Sequence, residues 1–355
     1  MFEMADESWR GQPKVMSMDT VSVTARRIAA HAEDHDLSDV QIILHGGEPL
    51  LAGSDYVAAI ATEFRAVISA AVDLRVQTNG TLISDSMLDT LSRHDIRIGV
   101  SLDGNQQAND LHRRYANGRG SYNRVARSLR RIRARAPHLL AGILCTIDLR
   151  NDPVETYEAL QEFAPPVVDF LLPHGNWVSP PPGRDPFSPG APYGRWLAAV
   201  FDHWYSISPP RCQVRMFSEI IHLMLGGQAA VETVGLAPVS LIVVNSDGTL
   251  EQVDTLRSAY AGAVDTGLNV HTHDFNAAIV HPAIVARQQG RDGLSEICKS
   301  CPVHMICGGG LYSHRYRPGT GFMNPSVFCR DLSHLIQHIY RRVSNDVARL
   351  RAGAL

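Results

Sequence analysis

The sequence predicts an α/β fold whose first half is a parallel sheet or barrel and whose second half is a smaller appendage. Between residues 20 and 175, short β-branched apolar runs alternate with longer amphipathic segments. Both faces of these runs are apolar, as in strands that helices cover on two sides. The length of 355 residues also lies between one large α/β domain and two ordinary ones.

The predicted elements alternate regularly after one leading helix at 20–35. The strands are predicted at 40–44, 74–77, 96–102, 139–147 and 167–172, and the crossover helices at 56–71, 85–93, 122–136 and 154–163. No strand-like run precedes the leading helix, so strand 40–44 is predicted to have an unpaired edge. Because an apolar edge is an aggregation hazard, a neighbouring strand is expected to be missing upstream.

The second half begins after a Pro-rich stretch at 179–192. Beyond it, the sequence predicts helices at 193–206 and 213–225, hairpin strands at 239–245 and 249–253, and a final helix at 331–351. The hairpin is predicted from Ser246-Asp247-Gly248, a turn signal between two apolar runs.

Composition and charge narrow the classes of function. Lys and Arg total 33 and Asp and Glu total 36, so the formal net charge is −3, and the two signs are mixed along the chain. This balance argues against a nucleic-acid partner held by bulk charge. No apolar run approaches the roughly 18 residues of a membrane span, and the N-terminus resembles no secretion signal. A cytoplasmic protein without membrane or nucleic-acid partners is therefore expected.

Four of the six cysteines lie close together near the C-terminus. Their order is Cys298-x2-Cys301-x5-Cys307, followed by Cys329, and in a reducing compartment such a cluster predicts metal binding before disulfides. Four thiolates suit a zinc ion or an iron–sulfur cube. The five-residue gap and the glycines at 308–310 favour the bulkier cluster, with zinc and unligated thiols as the alternatives. Of the two isolated cysteines, we expect Cys145 within a strand and Cys212 at the start of a helix, and neither to bind metal.

Glycine-rich polar motifs follow the first three predicted strands. They are Gly46-Gly47-Glu48-Pro49, Gln77-Thr78-Asn79-Gly80 and Ser101-Leu102-Asp103-Gly104. Glycines let backbone groups approach a ligand closely, and Pro49 stiffens the exit of the first loop. Each motif alone is typical of a simple turn. Three in succession at carboxyl strand ends predict the floor of a pocket for a polar small molecule.

These three motifs, together with Asp110-x2-Arg113, resemble the S-adenosylmethionine (SAM) pocket of radical SAM enzymes. The cysteine-rich segment resembles their C-terminal SPASM extension. The resemblance covers about residues 5 to 335 and, in segments 4–10, 173–177, 251–254 and 307–316, is similar to FxsB-type peptide maturases. It implies a partial (β/α) barrel without its first strand and a SPASM-like iron–sulfur extension. The implied domains are a partial barrel over 1–178, a helical bridge over 179–238, an auxiliary-cluster domain over 239–335 and a C-terminal helix over 336–355.

The resemblance also implies roles for single residues. The backbone of Gly46, Gly47, Glu48 and Pro49 would hold the amino group of SAM. Ser101 and Arg113, or Arg114 in place of Arg113, would bind its carboxylate. Gln77 and Asn79 would line the ribose side, and Asp103 belongs to the same pocket. One auxiliary [4Fe-4S] cluster would be held by Cys298, Cys301, Cys307 and Cys329. A first auxiliary cluster is not expected, because Val253 and Leu311 stand where its cysteines would be.

Asp254 would accept a proton from the substrate, the competing interpretation being a structural ion pair with Arg257. His174 and Trp177 are further candidates for peptide contact, although packing explains them equally well.

The activity implied by the resemblance is crosslinking or other modification of side chains in a ribosomally made precursor peptide. Electrons would come from a reductant such as flavodoxin or ferredoxin. The radical-forming cluster needs a Cys-x3-Cys-x2-Cys motif, whereas no cysteine precedes Cys145. We therefore expect an N-terminally shortened chain, inactive as a fragment, whose radical [4Fe-4S] cluster exists only in a longer form. The alternatives are a cluster-free pseudoenzyme that serves as a peptide-binding scaffold and a zinc-stapled α/β protein of unrelated function.

Overall fold

The computed structural model describes residues 6–353, and its first half is built on one parallel sheet. The six strands pair in chain order: β1 (Asp39–Leu44), β2 (Ala71–Thr78), β3 (Arg97–Ser101), β4 (Leu140–Thr146), β5 (Val167–Leu171) and β6 (Gln213–Val214). The helices of this half are α1 (Met18–Asp34), α2 (Ser54–Val67), α3 (Asp85–Arg93), α4 (Gln106–His112), α5 (Tyr122–Arg135), α6 (Pro153–Gln161), α7 (Pro192–Ser206) and α8 (Arg215–Met224). The predicted α/β class and parallel sheet are confirmed.

Side-chain caps explain where several of these helices begin. Ser17 accepts a hydrogen bond from the backbone N–H of Thr20 at the start of α1. Ser84 accepts one from Met87 at the start of α3. Each cap satisfies a backbone donor that the helix itself leaves without a partner.

The central strands are buried on both faces, which accounts for their continuous apolar runs. Ile98 and Val100 of β3 are fully buried, and so is Leu129 of α5, which belongs to the same core. Burial of each such side chain stabilises the fold by about 1.5–3 kcal/mol. The core thereby fixes the strands, and with them the loops at their carboxyl ends.

β1 lies at the edge of the sheet. Within residues 6–353 it pairs with β2 alone, and Ile43 is 43% exposed. The predicted unpaired edge is thus present in the described part of the chain.

The sixth strand is a difference from the prediction. The sequence predicts a helix at 213–225, but Gln213 and Val214 pair with β5, and α8 begins only at Arg215. A two-residue strand is too short to show a period of its own and depends on its neighbour. Cys212 accordingly precedes a strand and does not open a helix, whereas Cys145 lies within β4 as predicted.

The C-terminal part contains a small antiparallel sheet and short helices. Its elements are β7 (Val243–Val244), β8 (Thr249–Glu251), β9 (Asp265–Asn269), α9 (Phe275–Ile279), α10 (Pro282–Val285), α11 (Glu296–Lys299), α12 (His304–Cys307) and α13 (Cys329–Gly353). The predicted hairpin is present as β7 and β8, with Gly248 at φ +85° in its turn. β9 was not predicted, because Asp265-Thr266-Gly267 lacks an apolar alternation and is held by tertiary contacts.

The long helix α13 anchors this part on α7. Arg184 Nε and Asp331 Oδ2 lie 3.0 Å apart and both side chains are buried, although the angle is not that of a hydrogen bond. The other carboxylate oxygen of Asp331 accepts the backbone N–H of Gly194 at 3.0 Å. None of the helices in the described residues is long and apolar enough to cross a bilayer.

Candidate functional site

The loop after β1 offers exposed backbone at the carboxyl end of the sheet. Gly46 has φ +112°, a conformation that side-chain-bearing residues rarely adopt. A Cβ atom built on Gly46 or Gly47 would meet no atom within 4 Å. Open space above two glycines is what a ligand needs to reach backbone amides and carbonyls.

Glu48 ties the end of β1 to the end of β2. Its carboxylate accepts hydrogen bonds from the Thr78 hydroxyl at 2.7 Å and from the backbone N–H of Asn79 at 2.8 Å. A third donor is the backbone N–H of Leu50 at 3.1 Å, in the 3-10 helix Pro49–Ala52. Glu48, whose backbone is predicted to contact SAM, therefore uses its side chain to hold two of these loops together.

The polar side chains after β2 are also ordered by hydrogen bonds. Gln77 donates its amide to the Ser101 hydroxyl at 3.1 Å. The Gln77 amide lies over Gly99, where a Cβ atom would be 2.2 Å from its oxygen. Asn79 accepts from the backbone N–H of Thr81 at 2.9 Å. The structure thus brings Gln77 and Ser101 together across neighbouring strands.

Arg113 faces Asp103 and forms a fork on its carboxylate. Arg113 Nε and Asp103 Oδ2 are 2.5 Å apart, and Nη2 lies 3.1 Å from Oδ1. The backbone N–H of Thr146 also donates to Asp103, at 2.9 Å. Arg114 is exposed and donates to the backbone carbonyl of Asp110. Both arginines that were considered for the SAM carboxylate therefore have partners within the chain, and the choice between them stays a prediction.

Asp254 opens a 3-10 helix, Asp254–Ser258, beside the loop that follows β5. Arg257 does not pair with it: the guanidinium lies against Glu251 and 3.4 Å from Asp6. Burial lowers the pKa of His174, and the nearby Asp254 carboxylate raises it. Asp254 thus lies close to a histidine at the same end of the sheet as the glycine loops.

Hydrogen bonds connect the loop after β5 to the C-terminal part. Asn176 donates its amide to the carbonyl of Ser258 at 2.8 Å. The backbone N–H of Trp177 donates to the carbonyl of Tyr316 at 3.2 Å. The carboxyl end of the sheet and the cysteine-rich segment are therefore joined by a shared loop.

The four C-terminal cysteines come together at the ends of α11, α12 and α13 and are not in disulfides. Burial raises the pKa of the Cys307 thiol to about 12, and the adjacent Cys329 and Cys298 thiols act in the same direction. Burial likewise raises the pKa of Cys329, with Cys298 and Cys301 as neighbours. In the described residues, no three His, Cys, Asp or Glu side chains are arranged to hold a single metal ion. The ligand set stays a prediction.

Cys145 and Cys212 lie elsewhere. Cys145 is fully buried in β4, and Cys212 accepts a hydrogen bond from the Gln161 amide at 3.1 Å.

Three residues beside the cysteines were not assigned a role from the sequence. Arg287 and His314 are buried, and some of their side-chain nitrogens have no hydrogen-bond partner. Arg315 donates to consecutive glycine carbonyls after Cys307. The sequence signal for Arg315 was its position shortly after three glycines, but only the fold reveals what it contacts.

A family model described as the radical SAM superfamily matches residues 11–163, from the region before α1 to the end of α6. The chain has a radical SAM domain.

Relatives and solved structures extend the similarity beyond the radical SAM domain. The serine-type anaerobic sulfatase-maturating enzyme of Klebsiella aerogenes is 25% identical over 324 residues, which are 88% of this chain and 76% of that protein. A solved structure of native anSMEcpe with bound AdoMet and Cp18Cys peptide matches with a TM-score of 0.80 at 20% identity, over 94% of this chain and 92% of that one. Streptococcus suis SuiB bound to precursor peptide SuiA matches with a TM-score of 0.56 at 15% identity, over 86% and 68%. The fold of those enzymes therefore extends over the C-terminal part as well.

We predict that Glu48→Gln destabilises the radical SAM domain. A neutral amide has one acceptor oxygen, so it cannot accept from Thr78, Asn79 and Leu50 as the carboxylate does. The free energy of unfolding should fall by about 1–3 kcal/mol, measured by thermal or denaturant unfolding. Glu33→Gln on the exposed end of α1 is the matched control and should change little. Equal stability of the two variants would contradict this role of Glu48.

Proposed function

We propose that this chain belongs to a radical SAM maturase of the FxsB type, which crosslinks or otherwise modifies side chains of a ribosomally made precursor peptide. The observation that carries the proposal is the shared loop after β5. It joins the glycine-lined end of the sheet to the segment with Asp254 and the four cysteines. A peptide bound there would lie between a SAM pocket and an auxiliary cluster.

The comparisons support this class of substrate. The Klebsiella aerogenes relative is named as a sulfatase-maturating enzyme, and both solved structures described above hold a peptide or a precursor peptide. The protein or peptide named differs among them. What supports the proposal is the general activity, which is radical modification of a polypeptide. The precursor peptide itself, the reductant such as flavodoxin or ferredoxin, and a cytoplasmic location are proposed with it.

The residues at the carboxyl ends of β1, β2 and β3 fit SAM. Gly46 and Gly47 leave room above their backbone for the methionyl group, and Glu48 keeps that loop in place. Ser101 and Gln77 present a hydroxyl and an amide at the next strand ends. Arg113 could take the SAM carboxylate only by sharing its fork with Asp103. SAM, when bound beside a reduced cluster, supplies the radical that removes a hydrogen atom from a side chain.

We assign the proton transfer to Asp254. Its carboxylate is not neutralised by Arg257, which pairs with Glu251 and Asp6 instead. A carboxylate without an arginine partner has its oxygens open to accept a proton. His174 lies beside it, and burial lowers the pKa of its imidazole, which favours the neutral form that can accept a proton.

The cysteine segment fits an auxiliary [4Fe-4S] cluster. Four free thiols lie near one another at α11, α12 and the start of α13; Cys298 is buried and the other three are partly buried. Thiolates are the ligands that iron–sulfur clusters take from proteins. Zinc on the same thiols is the alternative to be excluded by experiment.

The radical-forming cluster does not fit residues 1–355. The sequence has no cysteine before Cys145, and that residue is fully buried in β4. We therefore propose that residues 1–355 by themselves bind SAM and peptide without cleaving SAM. A pseudoenzyme that only presents the peptide is the second candidate, favoured by the same lack of thiols.

Metal analysis tests the auxiliary cluster. Protein purified or reconstituted without oxygen should contain about four irons and four sulfides per chain, as in other four-cysteine cubes. Replacing Cys298, Cys301, Cys307 or Cys329 by Ser should remove most of this iron. The matched controls Cys145→Ser and Cys212→Ser should retain it. About one zinc per chain with no iron or sulfide would refute the cluster.

A glycine substitution tests the SAM pocket. Gly47→Leu fills the open space above the loop without backbone strain, because Gly47 is not among the residues with positive φ. We expect SAM binding, measured by calorimetric titration, to weaken by about tenfold or more. Gly11→Leu places the same side chain in open space at the 3-10 helix Ser8–Gly11 and should leave binding unchanged. Equal affinities of the two variants would show that SAM binds elsewhere.

Product analysis separates the enzyme from the scaffold. With dithionite and peptide, residues 1–355 should form no 5′-deoxyadenosine, because the thiolates for a radical cluster are not among them. A longer form that carries Cys-x3-Cys-x2-Cys before residue 1 should form it. Cleavage of SAM by residues 1–355 would contradict the first expectation, and failure of the longer form would favour the scaffold.

A further inference from the structure

The loop after Cys307 has a backbone that only glycine adopts readily. Gly308, Gly309 and Gly310 have φ values of +60°, +79° and +68°. A Cβ atom on Gly308 would lie 1.5 Å from the carbonyl oxygen of Gly235, so this position has no room for a side chain. The loop directly continues the segment that presents Cys307, so its conformation sets where that thiol lies.

The guanidinium of Arg315 donates hydrogen bonds to the carbonyls of this loop. Arg315 Nη2 donates to Gly308 and Gly310, each at 2.6 Å, and Nε donates to Gly309 and Gly310, each at 3.2 Å. Successive left-handed residues turn their carbonyls toward one side, and a planar fork of donors matches that arrangement. Arg315 therefore determines the shape of the loop that follows Cys307.

Arg315 is itself held by a stack of side chains. Its guanidinium lies over the Tyr312 ring, 5.6 Å from the centroid, and that of Arg287 lies over the same ring at 5.7 Å. Arg287 pairs with Glu232, and its side chain is 1% exposed. Cation–π contacts are strongest out of water, so the stack restrains both guanidiniums.

Arg315 also lies close to the thiols. Burial lowers the pKa of Arg315, and the neighbouring Cys298 and Cys307 act in the opposite direction. A cube of four irons with four thiolates carries a net charge of about −2, since the core contributes +2. A buried guanidinium beside it offsets part of this charge at low dielectric.

We infer that Arg315 is a positioning residue for the auxiliary cluster: it shapes the Gly308–Gly310 loop that presents Cys307 and offsets the charge of the bound cluster. Tyr312 and Arg287 hold it in place. The inference rests on the proposed function, because it requires that the four cysteines hold an iron–sulfur cluster. It adds a residue outside the ligand set that governs how firmly the cluster is held and at what potential it is reduced.

The test compares cluster retention in Arg315→Gln and in the wild type. After anaerobic reconstitution, loss of iron to a chelator is followed by absorbance, and it should be about 10- to 100-fold faster in the variant. The reduction potential of the remaining cluster should become more negative, because a buried positive charge that favours the added electron is lost. Unchanged retention and unchanged potential would overturn the inference. A wild type without iron would refute the proposed function instead.

Two glycine variants test the role of Arg315 without replacing Arg315, and the pair controls for general folding defects. Gly309→Ala places a Cβ atom 3.0 Å from Arg315 Cζ and should speed iron loss. Gly319→Ala has nearly the same backbone conformation, φ +81° against +79°, but meets no atom within 4 Å. The two share the strain of a side chain at positive φ, so what separates them is contact with Arg315 and with Leu294 Cδ2, which also lies 3.0 Å from the added Cβ atom. Equal iron loss in both variants would contradict the role of Arg315, even if Arg315→Gln fails to fold.

Discussion

The carboxylate of Glu48 joins the ends of two neighbouring strands, and the arrangement of the candidate site depends on that join. β1 is an edge strand with one neighbour among the described residues, so the sheet alone restrains its carboxyl end weakly. By accepting from Thr78 and Asn79, Glu48 fixes the glycine loop relative to β2. Open backbone at Gly46 and Gly47 is useful for binding only because its position is fixed in this way.

Charged side chains also hold loops in place in the rest of the site. Arg113 donates to the carboxylate of Asp103. Arg257 pairs with Glu251 and Asp6. Arg315 donates to the glycine carbonyls that follow Cys307. In each case a guanidinium orders a loop that carries a candidate functional residue. Asp254 differs, because Arg257 pairs with Glu251 and Asp6 instead of with it.

Much of this arrangement could be predicted from the sequence, because strand and helix periodicities and strand-end motifs are local signals. The parallel sheet, the helix bounds of α3 and the turn at Gly248 are such cases. β6 and β9 could not be predicted, since each is held by a neighbouring strand and shows no alternation of its own. Sequence spacing also does not reveal that Arg113 pairs with Asp103 or that Arg315 donates to the glycine carbonyls, because these contacts depend on the tertiary fold.

We propose above that the cysteine-rich segment holds an iron–sulfur cluster and that the glycine loop after β1 binds SAM. A crystal structure of the anaerobically reconstituted protein with SAM, with anomalous diffraction measured at the iron edge, tests it most directly. We expect iron peaks bound by Cys298, Cys301, Cys307 and Cys329, and SAM over Gly46 and Gly47. Absence of iron at these sulfurs, or SAM density away from the glycine loop, would contradict it.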